Sequence, residues 1–141
     1  MIQRVQSIWL LLVALSAFAT YELPIYSGHL PDNSEKKFFI PDNFLLFLLV
    51  CGLGALALVC IFLFKKRSLQ FRLSIFGVLV SILLIFLEYT VTASYKQDNK
   101  MQSGSYYLGA MMPVVMAVFF ALAARGIFRD EKLVKSMDKL R

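Results

Sequence analysis

Glu88 stands among aliphatic and aromatic neighbours in Ile85-Phe86-Leu87-Glu88-Tyr89-Thr90-Val91, where a carboxyl group could bind a proton or a cation. Glu22 stands near the end of a second apolar run that begins at Ile8. An acidic side chain within an apolar segment is costly in lipid, so each is a candidate for chemistry until a partner accounts for it. On a helix, Ser74, Ser81, Glu88 and Tyr95 recur every seven residues, with Gly77 and Thr92 on the same face. Such a step drifts only about 20° from whole turns, so Ser81, Glu88, Thr92 and Tyr95 belong to one polar seam. A second candidate surface lies at the C-terminal end. There Leu133, Val134, Met137 and Leu140 fall on one helical face, and Arg125, Arg129, Lys132 and Lys135 lie around it or just before it. A basic amphipathic stretch of this kind suits lipid headgroups or a partner protein.

The elements that must position these residues follow from hydropathy. Of 141 residues, 59% are hydrophobic and only 17% charged, well above the apolar share of a soluble domain. Four runs, Ile8 to Ile25, Phe44 to Phe64, Leu73 to Ala93 and Tyr106 to Ile127, are each near the ~20 residues that cross about 30 Å of hydrocarbon as a helix. Pro31, Asp32 and Asn33 read as a turn, and Pro41, Asp42 and Asn43 as a loop ending in a helix N-cap. The stretch from Gln97 to Gly104 reads as a third loop. Arg4, the apolar run and Ala17-Phe18-Ala19 resemble a cleavable signal peptide, but the run continues through Tyr21, Leu23 and Ile25, as expected for a span. The fold class is therefore all-α: a transmembrane up-and-down four-helix bundle in one domain, with a short amphipathic C-terminal helix.

Orientation follows from charge. Arg4, the loop of Lys65, Lys66, Arg67 and Arg72, and the tail with Arg125, Arg129, Lys132, Lys135, Lys139 and Arg141 hold eleven of the fifteen basic residues. Lys36, Lys37, Lys96 and Lys100 lie on the other side, among Glu22, Asp32, Glu35, Asp42 and Asp98. Positive loops remain cytoplasmic, so both termini are expected there. Counted from Arg72, Glu88 lies about 24 Å across the bilayer, and Glu22 about 27 Å from Arg4, at ~1.5 Å per residue. Both carboxylates are thus expected near the external mouth, where pairing with Lys96, Lys100 or Lys37 is favoured over a shared proton or cation.

Packing is expected to use small residues: Ala110, Pro113, Ala117, Ala121 and Ala124 on span four, with a kink at Pro113, and Cys51, Gly52, Gly54 and Ala55 on span two. Ala14, Ala17 and Thr20 or Tyr21 do the same on span one. Six tyrosines cluster toward the external ends and Trp9 toward the internal one, as in an interfacial aromatic belt. Cys51 and Cys60 fall on opposite faces of one helix and cannot bridge each other. The sequence has no Gly-rich phosphate loop, no Ser/His/Asp or Cys/His arrangement and no metal-ligand cluster. No cofactor and no enzymatic activity are expected on that ground. The expected partners are the lipid bilayer and a membrane protein or second copy, with no nucleic acid.

The opening Met1-Ile2-Gln3-Arg4-Val5-Gln6-Ser7-Ile8-Trp9-Leu10-Leu11-Leu12 and the closing Arg129-Asp130-Glu131-Lys132-Leu133-Val134-Lys135-Ser136-Met137-Asp138-Lys139-Leu140-Arg141 carry a resemblance. Together they resemble a domain-of-unknown-function family of small four-span membrane proteins from Gram-negative bacteria. The resemblance implies the same four-helix topology, a bacterial inner membrane and no assigned activity. Lys135 and Lys139 stand where arginine is expected in that tail, which weakens a case for bidentate phosphate pairing. The leading expectation is a non-enzymatic subunit or scaffold of a membrane complex. The alternative is a small carrier of protons, cations or a lipophilic solute using Glu88 and Glu22.

Overall fold

The computed structural model describes residues 3–32, 34–101 and 103–138. Four helices, α1 (Gln3–Glu22), α2 (Phe44–Phe62), α3 (Arg67–Asp98) and α4 (Met112–Asp138), are each long and apolar enough to cross a bilayer. They pack in a ring, α1 on α2 and α4, and α3 on α2 and α4. This is the up-and-down bundle that short connections between antiparallel neighbours impose.

The two connections at one end of the bundle join into a small sheet that hydropathy did not announce. Strands β1 (Tyr26–His29) and β2 (Glu35–Phe38) form a hairpin, and β3 (Ser103–Tyr106) adds antiparallel to β1, in the order β2-β1-β3. Their registers pair Tyr26 with both Phe38 and Tyr106. The sheet displaces two expected boundaries. Pro24 cannot continue a helix and biases the residue before it to extended backbone, so α1 stops at Glu22. Ile25 instead donates to Phe38 O at 2.8 Å and accepts from Tyr107 N at 2.9 Å. Tyr106, expected to open span four, is likewise a strand residue. The hairpin turn falls at Pro31 and Asp32, as expected, and Asn33 lies outside the described residues. Asn43 caps α2, its side chain accepting from Leu45 N and Leu46 N at 3.1 and 3.2 Å.

Interior and exterior faces depart from the small-residue expectation in two helices. On α2 the buried residues are Leu46, Val50, Leu53, Ala57 and Cys60, whereas Cys51, Gly52 and Ala55 are exposed. On α4 the core is built by Met116, Phe120, Ala123, Ala124 and Ile127; of the expected small residues Pro113 and Ala124 are buried, Ala110 and Ala117 partly so, and Ala121 faces outward. In a span uniformly apolar round its circumference, composition leaves the inward face unspecified, because lipid accepts either side. Pro113 produces no interior break: it is the second residue of α4, in the first turn where its missing N–H is not needed. Tyr26 leaves the aromatic belt and is buried beneath the sheet, while Tyr21, Tyr89, Tyr106 and Tyr107 remain exposed.

Candidate functional site

The polar seam of α3 faces the interior as its spacing requires: Gln70, Ser74, Gly77, Ser81, Leu84, Glu88 and Thr92 are its buried residues. Its serine hydroxyls donate back along their own helix, while Ser74 also bonds across to the Cys60 thiol of α2, as expected of a helix-packing polar group. Ser74 donates to Gln70 O at 2.9 Å and Ser81 to Gly77 O at 2.8 Å, each satisfied one turn back on its own helix. Gln70 donates to Cys60 O of α2 at 3.0 Å. In the half of the seam nearest the termini the serine donors are thus already used within the protein.

The half beneath the sheet is different. Glu88 is 4% exposed, and neither carboxyl oxygen has a hydrogen-bond partner among the described residues. Thr92, one turn further on and fully buried, also leaves its Oγ1 unpartnered. The expected pairing of Glu88 with Lys96, Lys100 or Lys37 is not made. Lys96 lies over the Tyr26 ring at 5.1 Å, and Lys36 takes the place above Tyr95, 5.5 Å from its centroid. Glu22 is exposed at the end of α1 and is not part of this buried group. Tyr95 closes the seam at the sheet: its ring meets Phe38 at 4.6 Å, and Asn99 donates to Tyr95 O at 2.8 Å while accepting from Lys36 Nζ at 2.7 Å. Beside Tyr95 opens a cavity of about 420 Å³ whose lining includes Asp42, Ser94 and Asp98. An acidic vestibule, an aromatic wall and a buried hydroxyl and carboxyl thus follow one another along α3. The lining of that cavity stops short of Glu88 and Thr92, a carboxyl and a hydroxyl that could hold a proton.

At the other end, the C-terminal surface divides. The expected tail helix is the unbroken continuation of α4, with Arg125, Arg129, Lys132 and Leu133 all exposed along it. The side chains of Lys135 and Met137, and the whole of Leu140, lie outside the described residues. Sequence spacing missed the residues that tie this region to α1. Gln6 Nε2 donates to Asp130 Oδ2, both side chains are buried, and Gly126 lies against Gln6. The signal available was Asp130 alone, an acid among basic residues in α4. Nothing in the sequence pointed to Gln6 as its partner 124 residues away.

No curated protein and no solved structure matches the chain. A family profile described as a domain of unknown function, DUF4293, matches residues 2–140. With that match along nearly its whole length, the chain, with its four helices long and apolar enough to cross a membrane, belongs to the DUF4293 family.

Proposed function

We propose that this chain is a non-enzymatic subunit of a membrane complex in the bacterial inner membrane, with both termini cytoplasmic, docked through the free end of α4. The observation that carries the reading is the length and surface of that helix. Its 27 residues span about 40 Å, some 10 Å more than the hydrocarbon layer requires. On the projecting turns Leu133 and Val134 remain 52% and 38% exposed, although water is their alternative to a partner. The inward placement of both termini rests on the eleven basic residues at that end. In-cell crosslinking of the tagged chain, compared with a chain truncated after Lys132, tests it. A specific membrane-protein partner lost on truncation is the expected result. Repeated isolation of the full chain alone and monomeric in mild detergent refutes it.

A second reading, a proton- or cation-linked carrier, is favoured by one specific observation: the unpartnered Glu88 and Thr92 inside the bundle. In that reading Glu88→Gln abolishes function. Full complementation of a deletion by this variant ends it.

A further inference from the structure

Glu88 has no counter-charge inside the bundle. Among the described residues no lysine, arginine or histidine is buried, and the other buried acid, Asp130, lies toward the opposite end. Leu46 of α2 and Met116 of α4, buried toward the sheet end, are apolar. On α1, Ser16 and Thr20 donate to Leu12 O and Ser16 O of their own helix, at 2.7 and 2.6 Å. Neither oxygen of Glu88 has a partner among the described residues, and Thr92, one turn along the same face, is equally unpartnered.

We propose that Glu88 holds a proton at neutral pH and that, on the carrier reading, the ion handled at this site is a proton and not a metal cation. A buried carboxylate with neither a cation nor a hydrogen-bond donor beside it is far less stable than the neutral acid, so the group neutralises by accepting a proton from water. That proton becomes part of the side chain and needs no room beyond the carboxyl group itself. A metal cation instead exchanges its hydration shell for protein oxygens, about six or more in the case of calcium. Glu88 Oε1 and Oε2 and Thr92 Oγ1 are the unpartnered oxygens here. The α3 helix runs unbroken from Arg67 to Asp98, so its carbonyls stay in helix bonds and add none. Among the described residues no three acidic, histidine or cysteine side chains converge to hold a metal. The choice of ion rests on the carrier reading, whereas the proton on Glu88 follows from its burial alone.

Infrared spectra of the purified full-length protein, reconstituted in lipid at neutral pH, test the proposal, because the carbonyl of a neutral carboxylic acid absorbs at a higher frequency than an ionised carboxylate. Of the other glutamates, Glu22 and Glu35 are exposed and Glu131 is half-buried, so a neutral glutamate band has one expected source. That band is expected in the unaltered protein, is expected to move when glutamate is isotope-labelled at its carboxyl carbon, and is expected to be lost in Glu88→Gln. The label alone decides the matter if the variant does not fold. Addition of sodium or potassium chloride is expected to leave the band unchanged. Absence of a neutral glutamate band overturns the proposal, as does its persistence in folded Glu88→Gln. Disappearance of the band on adding either salt also overturns it, since a metal cation would then displace the proton. The proposal and the carrier reading fail separately. Full complementation by Glu88→Gln removes the carrier and the choice of ion with it but leaves the band, whereas a missing band leaves a cation carrier standing.

Discussion

Replacing Glu88 with leucine should stabilise the protein. The carboxyl group is 4% exposed, and neither oxygen meets a donor or acceptor among the described residues. A buried polar group left without a bond costs ~1–3 kcal/mol, which leucine does not incur. Two effects moderate the gain. Leucine differs from glutamate in shape, and repacking of that order costs under ~1.5 kcal/mol. Polar groups of an unfolded chain in detergent also find partners, which lowers the difference between states. The balance is a stabilisation of ~1 kcal/mol, measured as a shift in the unfolding midpoint in mixed micelles at neutral pH. Ser81→Ala is the control: its hydroxyl already bonds to Gly77 O on its own helix, so its removal should change little. A loss of stability of ~1 kcal/mol or more in Glu88→Leu refutes the reasoning, because it requires that Glu88 hold a partner that stabilises the fold. A gain in stability together with loss of function in cells is the pattern of a side chain retained for chemistry at the expense of packing.

Gly109→Ala should be among the most damaging single changes, because an added Cβ meets the backbone of Leu23 and Pro24, including Pro24 C at 2.7 Å, and backbone cannot yield. A loss of ~2–3 kcal/mol in unfolding free energy is expected from overpacking of this kind. Gly77→Ala meets the ring of fully buried Phe120 at 2.7 Å and should cost ~1–3 kcal/mol, with the loss reversed in part by shrinking Phe120 to leucine. Asn43→Ala removes the two capping bonds at the start of α2 and should cost ~1 kcal/mol in the same unfolding assay.

The four spans were legible because their signal is collective: about twenty apolar residues in a row leave few alternatives in lipid. The α3 seam was legible for a related reason, since Ser74, Ser81 and Glu88 stand out as polar groups against an apolar background and their period alone fixes a common face. Span two offered no such contrast. Its small residues, Cys51, Gly52 and Ala55, proved to face outward, and no polar group marked the side turned inward. The sheet escaped notice because its strands are four residues each and are held by pairing between distant loops, β1 to β3 across α2 and α3. Tyr26 shows the consequence: an expected belt residue became a core residue once β1 and β3 joined. The bond between Gln6 and Asp130 was hidden for the same reason, being a contact between the two ends of the chain.

The unmet polar atoms lie toward opposite ends of the bundle, in different surroundings. Glu88 and Thr92 lie under a wall made by Tyr95, Phe38 and Lys36, and the next buried seam residue toward the termini is Leu84, which offers no polar atom. On the carrier reading, groups buried this completely could take up only a proton, a water molecule or a bare cation. Asp130 lines a cavity of about 630 Å³ together with Arg125, Arg129 and Trp9. If the two sites acted on one solute, a polar path between them would be required along the interior. Leu84, between Ser81 and Glu88, interrupts the buried polar residues of α3 and offers no polar atom to such a path. Glu88 and Asp130 share no partner among the described residues, so substitutions at the two should combine additively in stability.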